Sequence, residues 1–224
     1  MKAMVLAAGR GERLRPLTDT LPKPLVAAGG RPLIAWHLEA LRRAGITEVV
    51  INLSWLGERL KAALGDGRDF GVHITYSEEG PVALETGGGI LRALPHLGPG
   101  PFLVVSGDIW TDFDFRTLAL EDGYLGQLVL VPNPAHHRRG DFGLQGGRLL
   151  AAAAVTERFT YGNIGLYRPE FFAGCADGRF PLLEPLNRAI AAGRLGGQLY
   201  LGRWCDVGTP ERLAQLNARL AQVQ

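Results

Sequence analysis

The chain is poor in cysteine, carries almost no net charge and lacks any long apolar run. Only Cys175 and Cys205 occur in 224 residues, and their separation has no metal-ligand spacing. Neither a disulfide framework nor a cysteine-held metal is expected, and a reduced, cytoplasmic thiol pair is the better reading. Lysine and arginine number 24 against 22 aspartates and glutamates, a net charge of +2. That balance implies no nucleic acid or other bulk polyanion as partner. The first apolar run covers only Ala3 to Ala8 and gives way to arginines. It is too short for a signal-peptide core or a membrane span, so no membrane partner is expected. Internal repeats and low-complexity tracts are absent as well. The remainder is an ordinary soluble composition, 46% hydrophobic and 21% charged. A chain of this length buries one good core, so one domain over residues 1–224 is expected.

Glycine and basic residues are present where they can do chemistry. The apolar run Ala3–Ala8 predicts a buried strand that breaks at Gly9-Arg10-Gly11. Gly-x-Gly lets backbone N–H groups approach an anion closely. Arg10, Arg13, Arg15 and, between two prolines, Lys23 crowd positive charge beside those amides. A loop of this kind after a first strand suits a triphosphate. Downstream, strands are predicted at Glu48–Leu53, His73–Ser77, Pro101–Ser106 and Gln127–Val131. Helices are predicted from Arg31 to Gly45, from Trp55 to Leu64 and from Leu84 to about Leu94. The alternation argues a parallel, three-layer α/β sheet. The second half is less regular. A helix is expected over Phe113–Leu120, short strands near Phe142–Leu144, Arg148–Ala152, Ile164–Tyr167 and Gln198–Leu201, and further helices over Pro169–Phe172, Leu182–Ala192 and Pro210 to about Val223.

Two aspartates complete the pattern. Ser106-Gly107-Asp108 ends an apolar strand, at the edge where open α/β sheets bind ligands. Trp204-Cys205-Asp206-Val207-Gly208-Thr209 places another aspartate just before a helix. Each could be a turn or helix cap, although Thr209-Pro210 is the better cap and first-turn pair for that helix. Together with a triphosphate the two carboxylates suit one Mg²⁺, which takes a few carboxylates plus phosphate oxygens. A dehydrogenase is excluded, because Gly9-x-Gly11 is followed by Arg13 and proline rather than by a third glycine opening a helix.

The stretch Leu6-Ala7-Ala8-Gly9-Arg10-Gly11-Glu12-Arg13-Leu14-Arg15-Pro16-Leu17-Thr18, followed by Pro22-Lys23-Pro24-Leu25, resembles the signature of sugar-1-phosphate nucleotidylyltransferases. Glu12 before the key arginine, where many members carry Thr, and Leu84-Glu85-Thr86-Gly87-Gly88-Gly89 look like the branch that uridylylates N-acetylmuramic acid 1-phosphate in cell-wall recycling. The resemblance implies a three-layer Rossmann-like nucleotidyltransferase fold with a mostly parallel central sheet and a small additional β element. It further implies a cytoplasmic monomer that takes UTP and a sugar-1-phosphate, with Mg²⁺ on Asp108 and Asp206. Arg13, Lys23, Asp108 and Asp206 are the implied catalytic set. Nucleotide contacts fall to Ala8, Gly9, Gly11, Glu12, Arg13 and Lys23 at the phosphates, and to Glu79, Leu84, Thr86 and Gly87 around the base. Asp141, Tyr161 and Asn163 are the implied sugar-phosphate contacts. The helix start at Gly87-Gly88-Gly89 is also read as an approach site for an anion or sugar, and His136, His137, Arg138 and Arg139 as a solvated charged loop in preference to a set of phosphate contacts. The family's Glu-Lys-Pro, whose lysine holds the sugar phosphate, has no match; Glu157-Arg158 lies near its place. The chain has no hexapeptide repeat, so the left-handed β-helix of many relatives is not expected. A guanylyltransferase for mannose 1-phosphate, an enzyme of the glucose-1-phosphate type, and a non-catalytic sugar-nucleotide-binding regulator are the alternatives.

Overall fold

A computed structural model describes residues 1–222 of the chain. Its strands are β1 (Lys2–Leu6), β2 (Ala27–Ala28), β3 (Arg31–Pro32), β4 (Glu48–Leu53), β5 (His73–Glu78), β6 (Phe102–Ser106), β7 (Ile109–Thr111), β8 (Gly126–Val131), β9 (Phe142–Gln145), β10 (Arg148–Ala151), β11 (Thr160–Tyr167), β12 (Leu195–Leu199) and β13 (Trp204–Asp206). The α-helices are α1 (Leu17–Thr20), α2 (Leu33–Arg43), α3 (Gly57–Leu64), α4 (Glu85–Leu97), α5 (Leu183–Ala191) and α6 (Pro210–Ala221). Val223, the expected end of the last helix, lies outside the described residues.

Nine strands form one sheet in the order β5-β4-β1-β6-β11-β8-β12-β10-β9. All run one way except β11 and β10. The side-chain alternation of β1 shows how the layers arise. Ala3 and Val5 pack with Ile34, Leu38 and Leu41 of α2 and Leu60 and Leu64 of α3. Met4, between them, faces the opposite side with Ile90, Ala93 and Leu97 of α4 and Leu186 of α5. Helices therefore cover both faces of a mostly parallel sheet, the expected three-layer α/β fold. No described helix is long and apolar enough to cross a membrane.

The regular first half follows the predicted elements closely; the second half departs from them. Phe113–Leu120 is not an α-helix. Asp114 caps a single 3-10 turn, Phe115–Thr117, while Phe113, Phe115 and Leu118 are driven into the core. Strand β12 begins three residues before its expected start, because its glycines are packing glycines. A Cβ at Gly196 would overlap the Gln127 side chain on β8, and one at Gly197 would lie 2.8 Å from Leu149 on β10.

One buried group ties stability to pH. His37 of α2 is 2% exposed, and its Nε2 lies 2.9 Å from the Ile109 carbonyl. The carbonyl only accepts, so Nε2 carries the proton and donates. Burial pushes this imidazole down to about 4, against the weaker opposing pull of the Ile109 carbonyl and the Asp108 charge. Between that value and the ordinary 6.5 the unfolded chain binds a proton that the folded chain does not. Stability therefore falls as pH drops through that window, by about 3 kcal/mol in all. Urea titrations at several pH values, compared with His37→Gln, should show this dependence flattened in the variant.

Candidate active site

The site forms where β1, β6 and the β7/β13 ribbon end. Ser106-Gly107-Asp108 turns directly from β6 into β7, whose partner is β13, with Asp206 opposite Ile109. Val207 N also donates to the Asp108 carbonyl at 2.9 Å. The ribbon thus brings the two aspartates, ninety-eight positions apart in sequence (206 minus 108), to neighbouring backbone positions.

Each carboxylate holds a basic side chain. Lys23 Nζ donates to Asp108 Oδ2 at 2.6 Å, and Ser106 Oγ donates to Asp108 Oδ1 at 2.7 Å. Burial would raise the Asp108 carboxyl, but the charge and hydrogen bond of Lys23, the Ser106 hydroxyl and the Arg13 charge together outweigh it. The net effect is a lowered pKa. Asp206 Oδ2 accepts from Arg212 Nη1 at 2.6 Å, and His136 Nε2 lies 3.3 Å from the same oxygen.

Two cavities flank these groups and share Thr86. One, of about 230 Å³, is lined by Ala8 and Gly9 of the glycine loop, by Lys23 and Asp108, and on its far wall by Asn52 and Glu79. The other, of about 520 Å³, is lined by Arg13, Asp141, Tyr161, Asn163 and Asp206, together with His136 and His137. The four cations of the loop are sorted by their neighbours. Arg10 stacks over Trp55, 5.1 Å from the ring centroid. Arg15 pairs with Asp19 at 3.1 Å and Glu12 at 3.9 Å on the surface. Arg13 and Lys23 are the two that reach the cavities. Glu12 lines neither. Gly11 earns its place by conformation, with φ +64°, and by room, since a Cβ there would lie 3.2 Å from that of Lys23.

The base-side residues form a buried hydrogen-bond chain. Ala7 N donates to Asn52 Oδ1 at 2.7 Å, Asn52 Nδ2 donates to Glu79 Oε1 at 2.6 Å, and Leu84 N donates to Glu79 Oε2 at 2.7 Å. Glu79 is 8% exposed, whereas its neighbour Glu78 pairs with Lys61 on the surface. Asn52 is the residue that sequence reasoning overlooked. A polar side chain near the end of the apolar run Glu48–Leu53 was the signal. The Leu84 carbonyl is engaged as well, accepting from Phe180 N at 3.2 Å.

On the side a Cβ would take, the three glycines of α4 make room for the protein itself. Gly87 packs against the Phe180 ring, a Cβ at Gly88 would overlap the Gly178 carbonyl, and one at Gly89 would overlap Glu79. Gly88 N is spent on the Phe180 carbonyl at 3.1 Å. Before them Glu85 stands at φ +61°, an uncommon conformation for a side-chain-bearing residue, with Arg179 paired to it at 2.8 Å.

On the sugar side Asp141 is held from two directions, by His137 Nε2 at 2.9 Å and by Tyr161 N at 2.8 Å. The Tyr161 hydroxyl points away from the cavity to Tyr167, 2.9 Å distant. Asn163 sits at φ +56° where β11 slips register between Tyr161 and Gly165, so the bulge aims its side chain out of the ladder. The loop from His136 to Arg139 is largely exposed, as expected, but His136 Nε2 lies 3.3 Å from Asp206 and His137 Nε2 2.9 Å from Asp141, so the two histidines line the larger cavity. Arg158 lines neither cavity.

The nucleotidyl transferase family profile matches residues 2–144. The chain belongs to that family. The N-acetylmuramate alpha-1-phosphate uridylyltransferase of Neisseria meningitidis serogroup B is 48% identical and aligns over 97% of both chains. The protein of the same name from Caulobacter vibrioides is 34% identical, over 98% of this chain and 97% of its own. A Bacillus anthracis crystal structure solved in complex with a sucrose shares the fold, with a TM-score of 0.88 at 23% identity, covering 100% of this chain and 96% of that one.

Proposed function

We propose that this nucleotidyl transferase moves a uridylyl group from UTP to N-acetylmuramic acid 1-phosphate, releasing pyrophosphate. The observation that carries the reading is the Asp108–Asp206 pair, on neighbouring backbone positions with one carboxylate on the wall of each cavity, Lys23 lining the first and Arg13 the second. Two relatives matched over nearly their whole length support uracil and the muramate acceptor. In the proposed reaction an acceptor phosphate oxygen bonds to the α-phosphorus as the bond to the bridging oxygen breaks, and the electron pair leaves with pyrophosphate. Such chemistry asks for positioning and charge neutralisation rather than a protein nucleophile. Lys23, beside Asp108, meets the α-phosphate. Arg13 and the loop amides at Ala8 and Gly9 hold the leaving phosphates.

The residues fit Mg²⁺. Two hard carboxylates lie on adjacent backbone positions, and no group of three or more acidic, histidine or cysteine ligands exists among the described residues. Such a donor set leaves the remaining positions to phosphate oxygens and water, as this ion prefers. Asp108 and Asp206 would hold it, and when bound it would supply charge neutralisation at the phosphates. With both cysteines free, we assign the enzyme to the reducing cytoplasm and treat it as a monomer.

Pyrophosphate release measured over a grid of nucleoside triphosphates and sugar 1-phosphates tests this. UTP with N-acetylmuramic acid 1-phosphate should give the highest kcat/KM. Release with GTP alone would overturn the uridylyl assignment, and no release with any pair would favour a binding protein.

A further inference from the structure

We propose that Leu183, backed by Leu182 and Leu186, is the surface on which the acceptor seats a methyl-bearing substituent, so that substituted sugar 1-phosphates are selected over plain hexose 1-phosphates. This rests on the sugar-1-phosphate reading above and adds the residue that sets acceptor choice.

The lining of the larger cavity is of two kinds. Asp141, Asn163 and Asp206 bring hydrogen-bonding groups, which suit the hydroxyls of a sugar ring. The residue before α5 and the first turn of that helix bring Leu182, Leu183 and Leu186 to the same cavity. Their spacing puts them side by side, as one apolar surface. Leu182 and Leu186 are 6% and 3% exposed and belong to the core around Met4 and Phe102. Leu183 is 53% exposed. Among the described residues Met1, Leu17, Val82 and Leu201 are the other large apolar side chains left exposed, and none of them lines either cavity. A single exposed leucine on an outer surface is ordinary. One that lines a substrate cavity and continues two core leucines is apolar area that water covers until a ligand does. The hydroxyls of a plain hexose gain nothing there. The acetamido methyl and the lactyl methyl of N-acetylmuramic acid do.

The surface is also fastened to the nucleotide side. Just before α5, Phe180 N donates to the Leu84 carbonyl at 3.2 Å, and the Phe180 carbonyl accepts from Gly88 N at 3.1 Å. Arg179 pairs with Glu85 at 2.8 Å. These contacts tie the chain entering α5 to the start of α4, where Thr86 lines both cavities. A substituent packed on Leu183 therefore orients the acceptor relative to the nucleotide.

The test is equilibrium binding by calorimetry, with Mg²⁺ and a non-hydrolysable UTP analogue present. The probes are N-acetylmuramic acid 1-phosphate, N-acetylglucosamine 1-phosphate and glucose 1-phosphate. The wild type should bind the first at least about tenfold tighter than the last, the lower end of what one methylene is worth in an apolar site. Leu183→Asn keeps the size and removes the apolar surface, and should weaken N-acetylmuramic acid 1-phosphate by about the same tenfold. Leu183→Met should stay within about threefold of wild type. Glucose 1-phosphate and the UTP analogue should bind both variants within about twofold of wild type, and the melting temperature should move by no more than a few degrees, because the position is half exposed. N-acetylglucosamine 1-phosphate decides which methyl is seated. If it weakens along with N-acetylmuramic acid 1-phosphate, the acetamido methyl is the one; if it holds, the lactyl methyl is. Unchanged affinity for N-acetylmuramic acid 1-phosphate in Leu183→Asn, or an equal loss for all three acceptors, would overturn the proposal. So would a wild type that does not prefer N-acetylmuramic acid 1-phosphate to glucose 1-phosphate. A wild type that selects through Leu183 yet releases no pyrophosphate with any acceptor would remove the transfer reading and leave this assignment standing.

Discussion

Asparagine in place of Asp108 should lower the rate of pyrophosphate release about a thousandfold or more, with the fold retained, on the scale lost when one transition-state-stabilising group is removed. The size follows from position. Asp108 sits at the sheet edge on the wall of the smaller cavity, and its carboxylate is both the counter-ion of Lys23 at 2.6 Å and half of the proposed metal pair. The lowered carboxyl pKa means that the wild-type group is ionised throughout the neutral range. Asparagine is isosteric, and its amide oxygen can still accept from Ser106. It loses the charge, however, and so leaves Lys23, 7% exposed, without its partner. Asp108 itself is 35% exposed, which screens that loss, so the stability cost should be about 1–2 kcal/mol. Circular dichroism and a thermal melt should therefore show a folded protein whose melting temperature is a few degrees lower. An Asp108→Asn protein that is unfolded at 25 °C would mean that the residue is structural first.

The parts of this site that were legible in the sequence are those whose chemistry is carried by backbone spacing. A glycine loop after a buried strand, and aspartates at the ends of strands, follow from chain-local rules, and the structure puts Ala8, Gly9, Lys23, Asp108 and Asp206 where those rules point. The residues that escaped are set by tertiary contact. Asn52 is one more polar position in a strand until β1 and β5 arrive on either side of it. Arg212 is one more arginine in the first turn of an amphipathic helix until Gly208 gives it room beside Asp206. The glycine run of α4 has the composition of a ligand-approach site, yet Phe180, Gly178 and Glu79 occupy the space its side chains would take. The same reversal explains β12, where Gly196-Gly197 has the composition of a turn and is a strand because β8 and β10 crowd it. Local composition cannot separate a glycine that makes room for a ligand from one that makes room for the protein itself.

That distinction sharpens at Glu79, whose replacement by alanine should be the most destabilising single change on the base side. Two branches of donors converge on Glu79, one running from Ala7 N to Asn52 and from Asn52 to Glu79, the other from Leu84 N to Glu79. The carboxylate is the acceptor that ends both branches. Removing it strands two donors where the parent side chain is 8% exposed. Each unpaired buried donor costs about 1–3 kcal/mol, so the pair costs about 4 kcal/mol. At about 2–4 °C per kcal/mol for a chain of this size, the melting temperature should fall by about 8–16 °C. Glutamine is no remedy. Its amide nitrogen must face either Leu84 N–H or the Asn52 amide, donor against donor, and flipping Asn52 to correct this abandons Ala7 N. Glu79→Gln should therefore lose at least half of what Glu79→Ala loses. Because Asn52 anchors the start of the glycine loop and Leu84 precedes Thr86, both variants should also raise the KM for the nucleotide about tenfold or more, the worth of about one such hydrogen bond to a charged group. The acceptor KM should change far less. A Glu79→Gln protein that melts with wild type would show that the carboxylate is free of this structural duty, and a base contact alone would then account for its burial.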